Sequence, residues 1–299
     1  MITLRQLEIF LAVARREHVT KAARDVHLSQ SAVSAALAEL ADRLGGPVLE
    51  RVGRRVVLND RGRRLADDAA DLLLRASDLV HHYNDGDTLK GSLRIGASST
   101  IGTYLLPALV GTFVAKHPGV DIHLEIGNTK AIEAQLLTQQ LDLAFIEGPS
   151  DHAQIAATKW REDELLVFVA AGHKLAKRRQ LRLLDLAEER WIMREAGSGT
   201  RSVFEAALRA HDVQVRPTLT FGHSEAVKQG VRAGLGIGCL SELAVRREVL
   251  SGDLVALRIK DLDLRRSLWR IARGSSYRSA LQSACIEHMA QNITPSSRR

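Results

Sequence analysis

The sequence predicts an α/β protein in which a small helical unit with a β-hairpin precedes one long helix and a larger α/β domain. Three patterns support this prediction. Apolar residues recur at helical spacing in the first 45 residues, they alternate four and three apart in residues 60–85, and strand and helix patterns alternate after residue 92. The 299 residues exceed one ordinary domain, and a hydrophobic content of 45% allows a sizeable core.

The composition favours a polyanionic partner and a reducing compartment. The formal net charge is +7, which promotes association with polyanions. Cys239 and Cys285 are too few for a disulfide framework or a metal cluster, and we predict free, buried thiols. Arg5 and Glu8 interrupt any apolar leader, and no stretch approaches a membrane span. We expect a cytoplasmic protein with no membrane partner, no metal and no cofactor.

Helical periodicity predicts three helices at the start of the chain. An apolar stripe runs from Leu4 to Ala14. Thr20 is predicted to cap a second helix and Ser29 a third, because hydroxyl oxygens accept hydrogen bonds from the free N–H groups of a first turn. The third helix turns its leucines inward, which leaves small polar side chains on the outer face of its first turns: Gln30, Ser31 and Ser34.

Two helices joined by a short turn are typical of a helix-turn-helix. In that arrangement the second helix enters the major groove of DNA with its first turns against base edges. Short hydroxyls and one amide can donate to bases or accept from them without steric bulk. We therefore predict that Gln30, Ser31 and Ser34 contact bases. A plain helical hairpin with a serine-rich cap is the alternative, since turns and caps favour serine in any case.

The segment ERVGRRVVLNDRGRR, residues 50–64, concentrates arginine after the third helix. Gly53 separates two short apolar stretches, a pattern that predicts a β-hairpin wing. Arg51, Arg54 and Arg55 are placed to contact DNA phosphates, which arginine binds without regard to base sequence. The alternative is a solvated charged face.

The start of the chain resembles a known family. The string LRQLEIFLAVARREHVTKAARDVHLSQSAVSAALAELADRLGGPVLERVGRRVVLNDRG is similar to the DNA-binding domain of LysR-type transcriptional regulators. It shares the family's AA pair, its LSQSAVS segment, its LG and its R-x-x-R. It departs from the family at Ala41, Leu49 and Asn59, although Asn59 is still expected to cap the next helix. The resemblance implies a winged helix-turn-helix DNA-binding domain over residues 1–59.

Residues 60–91 are predicted to form a linker helix and a hinge, NDGDTLKGS. The apolar positions alternate as the a and d positions of a coiled coil do, and we expect Leu65, Leu72 and Leu79 to form a dimer interface. A dimer holds two recognition helices against the two half-sites of an imperfect palindrome. The alternative is a helix that packs only on its own domain.

The rest of the chain alternates strands such as LRIGAS, DIHLEIG and LDLAFIEG with amphipathic helices, which predicts largely parallel sheets. TYLLPALVGTFVAKHP is expected to form one helix that ends at Pro118. The family resemblance extends here and implies an effector-binding domain over residues 92–299. This domain is expected to have two subdomains like those of periplasmic binding proteins, with subdomain I at 92–162 and 266–299 and subdomain II at 163–265.

Polar residues collect where the strands end and the helices begin. Ligands of open α/β sheets bind at the carboxyl ends of strands, and helix N-termini favour anions. We therefore predict a small anionic effector between the subdomains, bound by Ser98, Ser99, Thr100, Asn128, Thr129, Glu147, Ser198, Thr200 and His223.

Each residue of that predicted site has a plainer interpretation. Ser, Thr and Asn are common N-cap residues, so their place before a helix is explained without any ligand. Glu147 is an awkward neighbour for an anion, so it is expected to orient a donor or to line the cleft edge. A structural role stays open for His223, and the sequence leaves open whether Arg194 faces the cleft or solvent.

The segments ASSTIGTYLLP, EIGNT, FIEGP, EAGSGTR and GHSEAVKQGVRAGLGIGCLS resemble a LysR subgroup that is tied to sulfur metabolism and sulfite response. That resemblance implies sulfite or a similar oxyanion as the effector. The family resemblance also implies a homodimer that assembles into a homotetramer and binds double-stranded promoter DNA.

Two other functions were weighed. An enzyme would need a catalytic group, but GASST and AGSGT around Ser98 and Ser198 lack the G-x-S-x-G spacing, and no metal cluster or pair of catalytic carboxylates is visible. A solute-binding protein would leave the first 90 residues unexplained. We therefore predict no catalytic residues, and a DNA affinity that falls steeply with salt distinguishes the regulator from both alternatives.

Overall fold

The protein is described by a computed structural model that covers residues 1–85, 89–215, 217–274 and 277–291. Residues 86–88 of the predicted hinge and 292–299 of predicted subdomain I lie outside the described residues. Within the described ranges, no helix combines the length and the apolar character that crossing a membrane requires.

The N-terminal unit is a winged helix-turn-helix. Its elements are α1 (Leu4–Arg16), α2 (Val19–Asp25), α3 (Gln30–Arg43), β1 (Leu49–Val52) and β2 (Arg55–Leu58). The two strands pair antiparallel, with Val52 opposite Arg55, and so form the predicted wing. The predicted cap at Thr20 is wrong, because α2 begins at Val19 with His18 at its N-cap. Val19 packs against the apolar cluster of the unit, which is consistent with a helix that begins at Val19 and not after Thr20.

The apolar periodicity of the first helices is what builds this unit. Phe10, Val13, Val33 and Leu40 are completely buried between α1, α2 and α3. Ser29 caps α3 as predicted, since its hydroxyl accepts a hydrogen bond from the Ala32 N–H at 3.1 Å. Burial of the inner face fixes which side of α3 is turned to solvent.

The long helix α4 spans Asp60–Asp85. Asn59 caps it, as expected, because the Asn59 Oδ1 accepts from the Gly62 N–H at 2.9 Å. The first turns of α4 pack into the winged unit, where Ala69 is fully buried and Leu65 is half-buried. The remaining turns lead away from that unit.

The C-terminal part holds nine strands and seven α-helices in the described ranges. The strands are β3 (Lys90–Ser98), β4 (Gly119–Gly127), β5 (Leu143–Glu147), β6 (Ile155–Ala170), β7 (Trp191–Arg194), β8 (Pro217–Phe221), β9 (Ile237–Ser241), β10 (Leu254–Ala256) and β11 (Arg265–Arg273). The helices are α5 (Ser99–Tyr104), α6 (Leu106–Lys116), α7 (Thr129–Leu137), α8 (Gly199–Ala210), α9 (Ser224–Arg232), α10 (Glu242–Ser251) and α11 (Ala280–Gln291).

One predicted helix is divided in the structure. The segment 103–118 was expected to form one helix, but its first two residues end α5, and α6 begins after Leu105 and ends at Lys116. Pro107 stands in the first turn of α6, where its missing N–H costs nothing, whereas inside a continuous helix it would remove a hydrogen bond.

The strands form two α/β subdomains that share one long strand. In subdomain I the order is β4-β3-β5-β11-β6, and in subdomain II it is β6-β9-β7-β8, with β10 also paired to β6. Strand β6 changes sheet between Glu164, which pairs with Arg265, and Leu165, which pairs with Ser241. Helices α5–α7 and α11 belong to subdomain I, and α8–α10 belong to subdomain II.

The expectation of largely parallel sheets needs a correction. Each sheet has three parallel strands, β4-β3-β5 in one and β8-β7-β9 in the other. The connecting strands β6 and β11 and the short β10 pair antiparallel. Both sheets are mixed because the chain crosses into subdomain II along β6 and returns along β11, so these two strands run in opposite directions.

Each subdomain has its own core. Phe113, Phe145 and Leu268 are buried in subdomain I, and Trp191 and Phe204 in subdomain II. The predicted free thiols are confirmed: Cys239 and Cys285 are buried and unpaired by disulfides, and burial raises the pKa of both. Between these two cores lie the carboxyl ends of the parallel strands.

Candidate DNA-binding and effector-binding sites

The outer face of α3 presents the polar side chains that the sequence singled out. Gln30, Ser31 and Ser34 are all exposed on the first two turns. The Ser31 hydroxyl lies 2.9 Å from the Ser29 hydroxyl, so its position is partly fixed by the cap. The side chains of Gln30 and Ser34 make no hydrogen bond with any residue that the structure describes, which leaves their donors and acceptors available to a partner.

The wing carries exposed cations beside that face. Arg51, Arg54 and Arg55 are exposed on β1, on the turn and on β2. Arg55 lies 3.3 Å from the Glu17 carboxylate, an exposed ion pair that contributes little to stability. Arg51 and Arg54 have no acidic partner in the described ranges. Gly53 has a φ of 61°, which only glycine adopts without strain and which makes the tight turn possible.

Part of the predicted dimer stripe on α4 is exposed. Leu72 and Leu79 are 51% and 62% exposed, and Tyr83 lies in the same row of the helix surface. Leu65, the first member of the predicted stripe, instead packs against the core of the winged unit. Leu72 and Leu79, two of the three leucines predicted for the dimer interface, are therefore exposed in the single chain.

The other side of α4 contacts subdomain I. The Gln139 amide nitrogen donates to the Ala66 carbonyl at 2.6 Å, and the Tyr277 hydroxyl donates to the Asp78 carboxylate at 2.6 Å. These contacts fix which face of α4 rests on its own chain and leave the Leu72 and Leu79 face open.

Glu147, at the end of β5, is the centre of the cleft between the subdomains. Its Oε1 accepts from the backbone N–H of Thr100 at 3.2 Å, at the start of α5. Its Oε2 accepts from the backbone N–H of Thr200 at 3.0 Å and from the Thr200 hydroxyl at 3.1 Å, at the start of α8. One carboxylate thus joins a helix start of subdomain I to a helix start of subdomain II.

Arg266 supports that carboxylate from β11. Its guanidinium lies 3.6 Å from Glu147, donates to the Thr200 hydroxyl at 3.2 Å and donates to Asp163 at 2.7 Å. Asp163 in turn accepts from the Ser241 hydroxyl at 2.8 Å. The side chains of Glu147, Asp163 and Arg266 are each 2% exposed, so water does not screen this network.

The ionisation of Glu147 follows from this surrounding. Burial by itself raises the pKa of Glu147, but the Arg266 charge, hydrogen bonds from Thr100 and Thr200, and the Arg194 charge lower it, and the net pKa lies below the ordinary range. The side chain is therefore an anion at neutral pH. The cleft holds an anion of the protein's own at the position where the sequence predicted a bound one.

Two buried hydroxyls in the cleft have no partner. The oxygens of Ser98, at the end of β3, and Thr129, at the start of α7, are inaccessible to solvent and form no hydrogen bond within the described residues. An unpaired buried polar group costs about 1–3 kcal/mol. A β-carbon at Gly199 would lie 2.7 Å from the Thr129 hydroxyl and 2.4 Å from the Glu147 carbonyl oxygen, so glycine is what lets α8 begin this close to them.

Arg194, which the sequence left undecided, is buried and crosses the cleft. From β7 its guanidinium donates to the hydroxyl of Ser224 at 3.0 Å and to that of Ser99, in the other subdomain, at 3.2 Å. Glu195 pairs with the same guanidinium at 2.8 Å. Sequence reasoning left Arg194 undecided and missed Arg266, because only the fold brings β7 and β11 to the ends of the other strands.

The remaining predicted residues take plainer roles. Asn128 accepts from the Ala131 N–H at 3.0 Å and Ser198 from the Arg201 N–H at 3.5 Å, so both are N-caps. His223 stands at the N-cap of α9 with an exposed side chain that makes no cap hydrogen bond. At that junction the buried hydroxyl of Ser224 accepts the hydrogen bond from Arg194.

The cleft gathers hydrogen-bond donors around one carboxylate. Two backbone N–H groups donate to Glu147 and both guanidiniums pair with carboxylates, whereas the hydroxyls of Ser98 and Thr129 have no hydrogen-bond partner within the described residues. In the described part of the chain, no group of three or more His, Cys, Asp or Glu side chains has the arrangement of a metal site.

Two family models match the chain. The one described as a bacterial regulatory helix-turn-helix protein of the lysR family matches residues 4–63, which hold the winged unit and its wing arginines. The one described as the LysR substrate binding domain matches residues 86–294, which hold both subdomains and the cleft.

Individual proteins agree with these matches. YeiE of Escherichia coli strain K12, described as an uncharacterized HTH-type transcriptional regulator, is 41% identical over 270 residues, or 90% of this chain and 91% of its own. The regulatory domain of CcmR from Synechocystis PCC6803, solved in complex with 2-PG, has a TM-score of 0.64 at 27% identity and covers 68% of this chain and 99% of that one. A full-length OxyR variant from Pseudomonas aeruginosa shares the fold, with a TM-score of 0.77 at 23% identity over 97% of this chain and 94% of that one.

Proposed function

The chain belongs to the LysR family of bacterial transcriptional regulators, and from this premise we propose that a small inorganic oxyanion controls it by binding in the Glu147 cleft. The protein is a DNA-binding regulator with an effector-binding domain, and its relatives are named as regulators rather than enzymes. The proposal concerns the finer points: the class of the effector, the residues that bind it, and the assembly that responds.

The position of the Glu147 carboxylate carries this proposal. N–H groups at two helix starts, one in each subdomain, converge on it, and such groups favour negative charge. An oxyanion with three or four oxygens reproduces the geometry of a carboxylate and adds acceptors for the hydroxyls of Ser98 and Thr129. The effector is therefore expected to take the place of the carboxylate and to push the Glu147 side chain out of the cleft.

The resemblance of the cleft segments to a sulfite-responsive subgroup makes sulfite the first candidate. The solved complex of CcmR with 2-PG supports a small-molecule ligand for a domain of this fold. Of the residues predicted for this site, Ser98, Ser99, Thr100, Thr129, Glu147 and Thr200 line our proposed position. Arg194 and Arg266, which the sequence did not predict, join them.

The coupling to DNA follows from the two subdomains. Glu147 bonds to both, so an effector that displaces it changes how tightly they close, and it shifts the assembly towards the state that binds it better. We propose that Gln30, Ser31 and Ser34 contact bases and that Arg51, Arg54 and Arg55 contact phosphates of imperfect palindromic sites. The regulator would act in the cytoplasm as a homodimer through α4 and assemble to a homotetramer.

We also keep the predicted domain bounds as part of this proposal: 1–59, 60–91 and 92–299, with subdomain II at 163–265. The change of sheet along β6, between Glu164 and Leu165, and the return at Arg265 support the bounds of subdomain II.

The test uses the two unpaired hydroxyls. Thermal unfolding of the full chain is followed with sulfite, sulfate, thiosulfate, phosphate and acetate, since a ligand of the folded state raises the melting temperature by mass action. Ser98→Ala and Thr129→Val remove hydroxyls that have no partner within the described chain, so the ligand-free protein is expected to be as stable as before or more so. The control is Thr138→Val, a substitution outside the cleft.

The expected result is a selective rise with sulfite that both cleft variants lose and the control keeps. A rise that survives in Ser98→Ala and Thr129→Val would place the anion elsewhere. No rise with any anion would reject the inorganic effector and leave the regulator itself untouched.

A further inference from the structure

A second cavity lies between the DNA-binding half and subdomain I, on the far side of the fold from Glu147. Its volume is about 460 Å³, within the range of roughly 300–1,000 Å³ typical of small-molecule sites. Leu73 and Leu74 of α4, Leu93 of β3 and Leu281 of α11 form much of its apolar wall. None of the cleft residues discussed above lines it.

Two polar side chains that border this cavity, Gln139 and Arg15, each have a buried atom without a hydrogen-bond partner, whereas Asp67 on the same wall pairs with Arg273. Gln139 is 6% exposed, its amide nitrogen is bonded to Ala66, and its Oε1 has no hydrogen-bond partner within the described residues. Arg15, at the end of α1, makes no hydrogen bond or ion pair with any residue that the structure describes, and its Nε is inaccessible to solvent. A buried acceptor and a half-buried cation therefore both border one largely apolar cavity.

The cation at this cavity has no direct ion-pair partner among the described residues. Burial, and then the nearby Arg94 charge, lower the pKa of Arg15 to about 10, while the charges of Asp142 and Asp25 raise it in part, so Arg15 remains protonated at neutral pH at a cost. Asp142 forms its ion pair with Arg94, at 2.5 and 3.1 Å, and not with Arg15. A carboxylate in the cavity would supply the missing charge and hydrogen-bond acceptors to Arg15.

We propose that this cavity binds a small organic monocarboxylate with an apolar body, whose carboxylate pairs with Arg15 and whose hydroxyl or N–H group donates to Gln139. This ligand site is distinct from the oxyanion cleft and does not rest on it. The leucine walls exclude a bare inorganic anion as the best occupant, because it would leave most of the apolar surface uncovered.

The location gives such a ligand a regulatory consequence. It would touch α1 of the winged unit, the linker helix α4 and subdomain I together. A molecule that contacts all three binds best when they are packed as in this structure, and it stabilises that arrangement against any in which they separate. Organic acids would then modulate DNA binding independently of the cleft.

The probes are 4-hydroxybenzoate, benzoate and hexanoate, with 4-hydroxybenzamide as the uncharged match of the first. Binding to the full chain is measured by isothermal titration calorimetry. The variants are Arg15→Gln, which removes the cation, Leu74→Trp, which fills the cavity, and Thr129→Val in the cleft as the matched control. The unfolding temperature of each variant without ligand shows that it is folded.

We expect 4-hydroxybenzoate to bind more tightly than the benzamide, and to lose about tenfold or more in affinity in Arg15→Gln and in Leu74→Trp while Thr129→Val is unchanged. Equal affinity in wild type and Arg15→Gln overturns the proposal. So does a loss confined to Thr129→Val, which would place the acid in the cleft, and so does the absence of binding by all three acids. Failure of the sulfite test alone has no bearing on these results.

Discussion

Glu147 shows how one side chain joins two subdomains. Its carboxylate receives N–H groups from α5 of subdomain I and α8 of subdomain II and faces Arg266. A residue that looked out of place beside an expected anion is itself the anion in this state. Two testable consequences follow at this position, one for stability and one for binding.

The first is the dependence of folding stability on pH. Because the folded pKa of Glu147 is lowered, its contribution to stability is present above the unfolded pKa of about 4.3 and is lost as pH falls through the lower folded value. Glu147→Gln is expected to cost about 3 kcal/mol at pH 7, as loss of one member of a buried ion pair does, and progressively less in acid. Urea unfolding between pH 7 and pH 3 measures this. Glu188→Gln, at an exposed site, is the control, and a variant deficit that stays constant with pH would contradict the assignment.

The second concerns competition for the cleft. If the oxyanion takes the place of the carboxylate, Glu147→Gln removes a negative charge that the ligand must displace, and sulfite should bind at least about tenfold more tightly. Calorimetric titration of wild type and variant gives the ratio. Weaker binding in Glu147→Gln would mean that the carboxylate helps to hold the effector instead of giving way to it.

Arg54 and Ser34 separate two kinds of DNA contact. Arg54→Ala is expected to weaken specific and random DNA alike and to reduce the slope of log affinity against log salt by about one, because one phosphate contact is lost. Ser34→Ala should weaken only the specific site, since we propose that its hydroxyl contacts base edges. Fluorescence anisotropy over a salt series distinguishes them, with Arg209→Ala on α8 as a control for total charge. If Ser34→Ala reduced the affinity for specific and random DNA equally, the proposal that Ser34 contacts bases would be wrong.

At the scale of elements, helix α4 has one face packed on its own chain and one face exposed. One rests on the winged unit and subdomain I through Ala66 and Asp78, and the other exposes Leu72 and Leu79. The sequence pattern treated Leu65 as part of the same stripe, but the turn that carries it is absorbed into the winged core. The dimer interface proposed for α4 therefore begins about two turns further along the helix.

The double variant Leu72→Glu/Leu79→Glu should lower the association state of the full chain by at least one step, because four carboxylates would face one another across the interface. Leu184→Glu, at a leucine that is 72% exposed on subdomain II, is the matched control. Analytical ultracentrifugation reads the masses. An unchanged association state of the double variant would contradict the dimer interface and favour the alternative, in which α4 packs only on its own domain.

At the scale of the whole molecule, the sequence predicted the order of domains and the local elements but not the contacts between them. Ser29, Asn59 and the inward leucines of α3 could be predicted because caps and periodicity are local. The roles of Arg194 and Arg266 could not, because Ser99 and Asp163, which they respectively contact, lie 95 and 103 residues away along the chain and meet them only through the sheet topology. The mixed sheets escaped for the same reason, whereas the break at Leu105 goes with Pro107, a local signal that the apolar pattern alone did not reveal.

Salt dependence tests the molecule as a regulator. The full chain should lose at least about tenfold in DNA affinity between 50 and 200 mM salt, since each neutralised phosphate releases counterions. Filter binding on one promoter fragment is sufficient for the measurement. A salt-independent affinity would be incompatible with the arginine contacts proposed for the wing.

The long strand β6 and its return partner have a mechanical meaning. Where β6 leaves one sheet for the other, the Leu165 N–H donates to the Leu264 carbonyl at 3.0 Å, so the two crossings lie side by side as a ribbon. A ribbon tied by hydrogen bonds flexes across its plane but does not slide along it, because sliding would break the register. We therefore expect the subdomains to move relative to one another by rotation about this ribbon, so that a small displacement near it becomes a larger one at the far end of each subdomain.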